Sequence, residues 1–199
     1  SPAEQPQVRA GPAPMDSQPL MFSETQYDLV QICIDAWRLG SFWSILYMQS
    51  RMFDGDNAKS MEEELSAIPK QYGAILQPYY GPAVGTLISA RIQPIYGFYI
   101  EYLDLVISRR RSRAEEVKQA WLLAADDAGQ TISEQNPYWD AHMWSTMLRH
   151  MVTLLVGSID MLILGTYRKV GLNYLMLERL AADLGSYMGL GIIRQFQIP

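Results

Sequence analysis

Apolar residues recur every three or four positions along most of the chain after residue 23, which is the spacing of one face of an α-helix. No segment alternates apolar and polar residues over the length of a strand, so no β-sheet is predicted. The pattern therefore predicts an all-α protein. Its helices are expected at about residues 24–52, 60–73, 83–108, 112–134, 138–164 and 166–195.

Several of these helices carry recognisable start signals. Ser23, Ser60 and Ser112 each stand three residues before a glutamine or glutamate, which is the pattern of a capping box. Asn136 followed by Pro137 predicts another helix start, because asparagine caps well and proline suits the first turn.

Prolines predict interruptions, because a proline ring removes one backbone hydrogen bond and crowds the preceding turn. The helix that begins near residue 60 is expected to be short and to end at Pro69 or near Gly73. The segment 77–82, with two prolines and a glycine, is expected to break the chain's direction. Pro94 is expected to kink the following helix.

Short connections between long helices favour antiparallel neighbours, so the expected fold is an antiparallel bundle of four to five long helices. A chain of 199 residues is long enough to build one core without disulfides. Residues 23–199 are predicted to form this bundle domain, and residues 1–22 to form an extended Pro-rich N-terminal arm.

The arm has five prolines and hardly any periodicity, so it cannot form a core of its own. Pre-set proline dihedrals lower the entropy cost of holding such a segment on another surface. We expect a neighbouring copy of the chain to provide that surface. The prolines assigned to assembly are Pro2, Pro6, Pro12, Pro14 and Pro19.

The composition is apolar and poor in charge, with 49% hydrophobic and 19% charged residues, five tryptophans and twelve tyrosines. Tyr96, Tyr99 and Tyr102 form a stripe at helical spacing, which is typical of a core or an interface. The surplus of apolar residues favours burial against identical subunits, in a homo-oligomer or a filament.

The net charge of −5 argues against a general nucleic-acid-binding protein. One basic run is the exception, made of Arg109, Arg110, Arg111 and Arg113. It is expected to be a solvated turn whose cations complement a helix C-terminus, with contact to a phosphate or an acidic partner as the alternative.

Few residues of the chain are of the types that act in catalysis or bind a metal. The single cysteine, Cys33, excludes an intrachain disulfide, and the only histidines, His142 and His150, lie close together. No membrane span is predicted, because the apolar segment 151–164 is short and contains Asp160. A first residue such as Ser1 is expected to result from removal of the initiator methionine, from cleavage of a leader peptide, or from an added expression sequence. Leader cleavage would place the protein outside the cell or at its surface, and otherwise a cytoplasmic location is expected.

Short sequence motifs between about residues 27 and 196 resemble those of a family of small helical-bundle proteins. Its members are found chiefly in spore-forming and related bacteria and often carry the name acetylglutamate kinase. These motifs are Leu76–Gly81, Trp121–Asp127, Asn136–Trp139, Trp144 with Met147, Leu148 and His150, Gly165–Tyr167, and Gly191–Phe196. The kinase name is not supported, because the chain has neither predicted strands nor a glycine-rich phosphate loop. Gly185, Gly189 and Gly191 are expected to be close-packing positions in a helix instead.

The resemblance implies a constellation of histidines and acids on facing helices, as in a metal site. At the matching positions this chain has Gly40, Arg38, Pro94 and Ile95. Only His150 is retained, with Arg149 in place of an acid and Ala124 in place of an amide. No metal or cofactor is therefore predicted.

Asp126, Asp127 and His150 remain the weak candidates for a residual site, as a structural pair, a base or a metal ligand set. The leading hypothesis is a non-enzymatic structural protein that self-assembles through its arm and its apolar helix faces. One alternative is a bundle that binds a metal or small ligand at a degenerate site. Another is a helical capsid-type subunit that packages nucleic acid with the arginines at 109–113.

Overall fold

The computed structural model of this chain describes residues 21–53 and 55–199, and the predictions for the arm at residues 1–20 lie outside that range. The described residues contain no strand, so the all-α prediction is confirmed. They form six helices rather than four to five. These are α1 (Glu24–Phe53), α2 (Ala58–Tyr80), α3 (Pro82–Ile107), α4 (Arg111–Ser133), α5 (Ala141–Ile163) and α6 (Tyr167–Phe196), with a 3₁₀ turn at Gly55–Asn57.

The helices close into a ring. Each helix packs against the helices before and after it in the chain, and α6 returns to pack against α1. These two helices run antiparallel. Gln26 near the start of α1 donates to the carbonyl of Ile198, and the ring of Phe53 at its end contacts that of Tyr167 at the start of α6.

The prediction that a short helix ends at Pro69 or Gly73 is wrong, because α2 continues through both residues to Tyr80. Leu65, Ile68 and Tyr72 are fully buried around the proline. Burial of such side chains contributes about 1.5–3 kcal/mol each, which outweighs the roughly 3 kcal/mol cost of an interior proline. The break predicted at 77–82 is reduced to Gly81, whose positive φ of 83° reverses the chain. Helix α3 continues through Pro94.

The capping box at Ser23 is confirmed. The backbone N–H of Gln26 donates to Ser23 Oγ, and the Gln26 side chain accepts from the Ser23 N–H, at 3.1 and 3.2 Å. The other predicted starts are wrong: α2 and α4 begin before Ser60 and Ser112. Helix α5 is capped by Asp140, which accepts from the N–H of Met143, while Asn136 closes the preceding turn.

Aromatic residues fill the centre of the ring. The ring of Trp37 stacks on that of Tyr72 at 4.2 Å and lies 6.0 Å from that of Trp144. Trp121 packs against Tyr99 and Tyr102, at 5.6 and 5.9 Å between ring centroids. Tyr96 is also buried, so the prediction that the tyrosine stripe belongs to the core is confirmed.

The expected close packing of glycines in α6 is confirmed. A β-carbon on Gly189 would lie 2.9 Å from Val30 Cα, and one on Gly185 would collide with the backbone of Ile34. A side chain on Gly191 would collide with the indole of Trp139. The antiparallel α1–α6 pair is therefore in contact through its backbones.

By length and composition, α5 is the one helix of the described residues that is long and apolar enough to cross a membrane. Within the ring it packs between α4 and α6. Leu148, Leu155 and Ile159 are buried there, as in the core helix of a bundle.

Candidate functional site

The two aspartates singled out in the sequence bind arginines. Asp126 on α4 accepts a hydrogen bond from Arg149 on α5, at 2.8 Å. Asp127 accepts from Arg91 on α3, at 3.0 Å. All four side chains are partly exposed, so these ion pairs join neighbouring helices at the surface.

The two histidines lie on the outside of α5. Both His142 and His150 are exposed, while the aspartates that could have joined His150 are engaged with arginines. Among residues 21–53 and 55–199, no three His, Cys, Asp or Glu side chains are grouped as a metal ion would require.

Beside Gly40, one of the positions at which the resemblance implies a metal site, the interior contains a pair of tyrosines. The hydroxyls of Tyr72 and Tyr96 are hydrogen-bonded at 2.8 Å and fully enclosed. Both would lie 2.6 Å from a β-carbon on Gly40, so they occupy the space beside this glycine. Burial raises the pKa of both phenols above its ordinary value, which keeps them protonated at neutral pH. Neither can act as a base there.

The single cysteine is not a candidate nucleophile. Cys33 is fully buried, and this burial raises the pKa of its thiol to about 12. The thiolate is the reactive species, and almost none is present at neutral pH in the folded protein.

The basic run divides into two parts. Arg109 and Arg110 form the exposed turn after α3, and Arg111 opens α4. Arg113 lies one turn into α4 and pairs with Glu116 at 2.8 Å and with Glu101 at 3.6 Å.

The most prominent surface feature is a groove between α1 and α6. It has a volume of about 650 Å³, and Leu39, Phe42, Ile45 and Leu175 line it. Arg38 and Glu178 pair across it at 2.8 Å, so these two charges neutralise each other within the chain. A partner for this groove is therefore selected by apolar contact more than by charge.

Exposed apolar side chains extend from this groove along both helices. Phe42 on α1 is 51% exposed and Leu175 on α6 is 48% exposed, and both line the groove. Phe53 and Tyr167 form a ring pair between the same two helices, with both rings more than half exposed. We call the set Phe42, Phe53, Tyr167 and Leu175 the α1–α6 apolar surface.

This surface was missed in the sequence because it lies outside the main core stripe of α6. Val170, Leu177 and Leu184 form the buried side of that helix. Leu175 falls between those positions, and an apolar residue outside the core stripe is the signal that could have revealed it.

Comparisons with protein-family models, with curated proteins and with solved structures find no match to this chain. The candidate surfaces are therefore interpreted from their own chemistry.

Proposed function

We propose that this chain is a non-enzymatic structural protein whose copies assemble with one another. In this proposal the N-terminal arm of one copy, residues 1–22, binds the α1–α6 apolar surface of the next copy. The observation that carries it is this exposed apolar surface, since large side chains such as Phe42 and Leu175 are left in water unless a partner covers them.

The length of the arm supports this arrangement. Residues 1–20 precede Met21, which is 86% exposed beside the start of α1. Twenty residues in a polyproline conformation span about 60 Å. The distance along α1 from Ser23 to Phe42 is about 28 Å, from 1.5 Å per residue. The arm is therefore long enough to leave its own bundle and lie along the groove of another.

The composition of the arm suits such a groove. Its prolines carry no backbone N–H that would lose hydrogen bonds with water, and Val8, Met15 and Leu20 supply apolar side chains. An arm that binds the next copy makes a head-to-tail contact, which forms a filament, or a ring where the rotation closes.

We also propose that the chain belongs to the helical-bundle family it resembles, with the family's polar constellation replaced here by aromatic packing. The enclosed tyrosine pair beside Gly40 and the ion pairs of Asp126 and Asp127 support this view. A residual metal or ligand site at His150 is the alternative, and no contact of that side chain favours it.

A complementation experiment tests the assembly. One variant, Phe42→Glu with Leu175→Glu, keeps the arm but places charge on the apolar surface, since both side chains line the groove. A second variant lacks residues 1–22 but keeps the surface. We expect each variant alone to remain monomeric, and an equimolar mixture to form a heterodimer in light scattering, because each supplies what the other lacks.

Leu123→Glu is the matched control. Leu123 is 68% exposed on α4, away from the α1–α6 groove, so this variant should assemble like the unaltered chain. Two monomeric variants that do not combine when mixed would contradict the proposed arm-to-groove contact.

A further inference from the structure

A second cleft lies where the ends of α1, α3 and α5 meet the start of α4. It has a volume of about 510 Å³, within the range of small-molecule sites. Arg51, Arg109 and Arg111 line it together with Val106, Ile107 and Ile163. Three arginines from two parts of the chain, the end of α1 and the α3–α4 turn, therefore line one partly apolar space.

The charge of this cleft remains positive after its internal ion pairs are counted. Arg51 donates to Asp104, with 3.1 Å between Nε and Oδ1. Asp160 is the other nearby acid. Burial raises its pKa, and the charges of Lys118 and Arg111 oppose that rise. Lys118 pairs with Glu115 at 2.6 Å, so the two acids face the three arginines that line the cleft.

The backbone at Arg109 provides independent support. Its N–H donates to the carbonyl of Val106 and that of Arg110 to the carbonyl of Leu105, which is the Schellman pattern that ends α3. Arg109 occupies the left-handed position of this motif, with φ of 60°. Glycine adopts that conformation without the steric cost of a β-carbon.

An arginine at this position is thus unfavourable for the local backbone, yet its side chain lines the basic cleft. Strained residues of this kind concentrate at binding sites, where the side chain has a use that offsets the cost. The end of α3 does not require an arginine, because the capping bonds come from the backbone alone.

We propose that this cleft binds a small amphiphilic anion, with a phosphate or carboxylate head against the arginines and a short apolar group against Val106, Ile107 and Ile163. Guanidinium groups bind both heads through paired charge-assisted hydrogen bonds. The apolar wall distinguishes this ligand from a bare inorganic ion and from a nucleic-acid backbone.

Calorimetry with hexyl phosphate tests the proposal, with inorganic phosphate and hexanol as the two half-ligands. Hexyl phosphate should bind at least about tenfold more tightly than either, because only it fills both parts of the cleft. Arg109→Gly and Arg111→Gln should each weaken its binding by about fivefold or more.

Arg113→Gln is the matched control, since Arg113 belongs to the same basic run but pairs with Glu101 and Glu116 and does not line the cleft. It should leave binding of hexyl phosphate within about twofold of the unaltered chain. Arg109→Gly should also raise the thermal midpoint by about 2–4 °C, which shows that it folds.

Equal affinity for phosphate and hexyl phosphate, or equal losses in the Arg113 and Arg109 variants, would indicate general surface charge and overturn the proposal. Binding to phosphatidic-acid vesicles without binding of hexyl phosphate in solution would also overturn it, because the ligand would then be a membrane surface.

Discussion

Gly185 of α6 lies directly against the backbone of Ile34 of α1, so closely that a β-carbon on the glycine would collide with the Ile34 Cα. This contact joins the last helix to the first and closes the ring. The groove of the proposed arm-binding surface lies along the same two helices, between Phe42 and Leu175.

Gly185→Ala should destabilise the fold by about 1–3 kcal/mol, because the backbone of Ile34 would have to move to admit one methyl group. Gly171→Ala is the matched control on the same helix. That glycine is exposed with open space around it, so alanine should stabilise the protein by about 0.5–1 kcal/mol. Urea unfolding measures both, and equal effects would contradict the close contact.

The hydrogen bond between Tyr72 and Tyr96 should show strong coupling in a double-mutant cycle. Either single change to phenylalanine leaves one buried hydroxyl without its partner, at a cost of about 1–3 kcal/mol. The double variant should cost less than the sum of the two, because it leaves no unpaired hydroxyl. Tyr138→Phe, at an exposed tyrosine, should change stability by less than about 0.5 kcal/mol. Additive single effects would exclude the bond.

Stability should fall at alkaline pH. Burial raises the pKa of Cys33 from 9.0 to about 12 and that of Tyr80 and Tyr102 from 10.0 to about 12. Below pH 9 these groups are protonated in both states, so their contribution is complete. Between about pH 9 and 12 only the unfolded chain loses the thiol proton, so Cys33 lowers the unfolding free energy by about 1.4 kcal/mol per pH unit. The two phenols add a smaller decline above pH 10, because solvent screens these partly exposed groups.

Urea unfolding at increasing pH measures this slope. Cys33→Ala should make the decline begin later, because the thiol is the first of the three groups to titrate in the unfolded chain. Constant stability from pH 8 to about 11 would contradict the burial of all three groups.

Local signals predicted part of the fold well. The Ser23 capping box and the stripe of Tyr96 and Tyr99 depend on residues close together in sequence, and the structure has both as expected. The helix end predicted at Pro69 was wrong, because the burial of the neighbouring side chains outweighs the local cost of the proline. That burial depends on tertiary packing, which the local sequence does not show. Asn136 does not cap α5, because its Oδ1 accepts from the N–H of Tyr138 in the preceding turn, while its side-chain N–H donates to Tyr80 of α2.

The candidate sites were harder to predict, because each is made from distant segments. Arg109 and Arg111 were visible as a basic run, but nothing near Arg51 in the sequence indicates that it joins them. The candidate site at His150 required Asp126 and Asp127 to interact with the histidine. Both aspartates instead form ion pairs with arginines on the adjacent helices, Arg91 and Arg149.

Copies of this chain are proposed to bind one another through the arm. Sedimentation of the full chain, from micromolar to millimolar concentration, tests it most directly beside the chain that lacks residues 1–22. We predict that the full chain forms particles of several times its 22.6 kDa mass, while the shortened chain stays helical and monomeric. A full chain that remains a 22.6 kDa monomer at the highest concentration would rule out assembly through the arm.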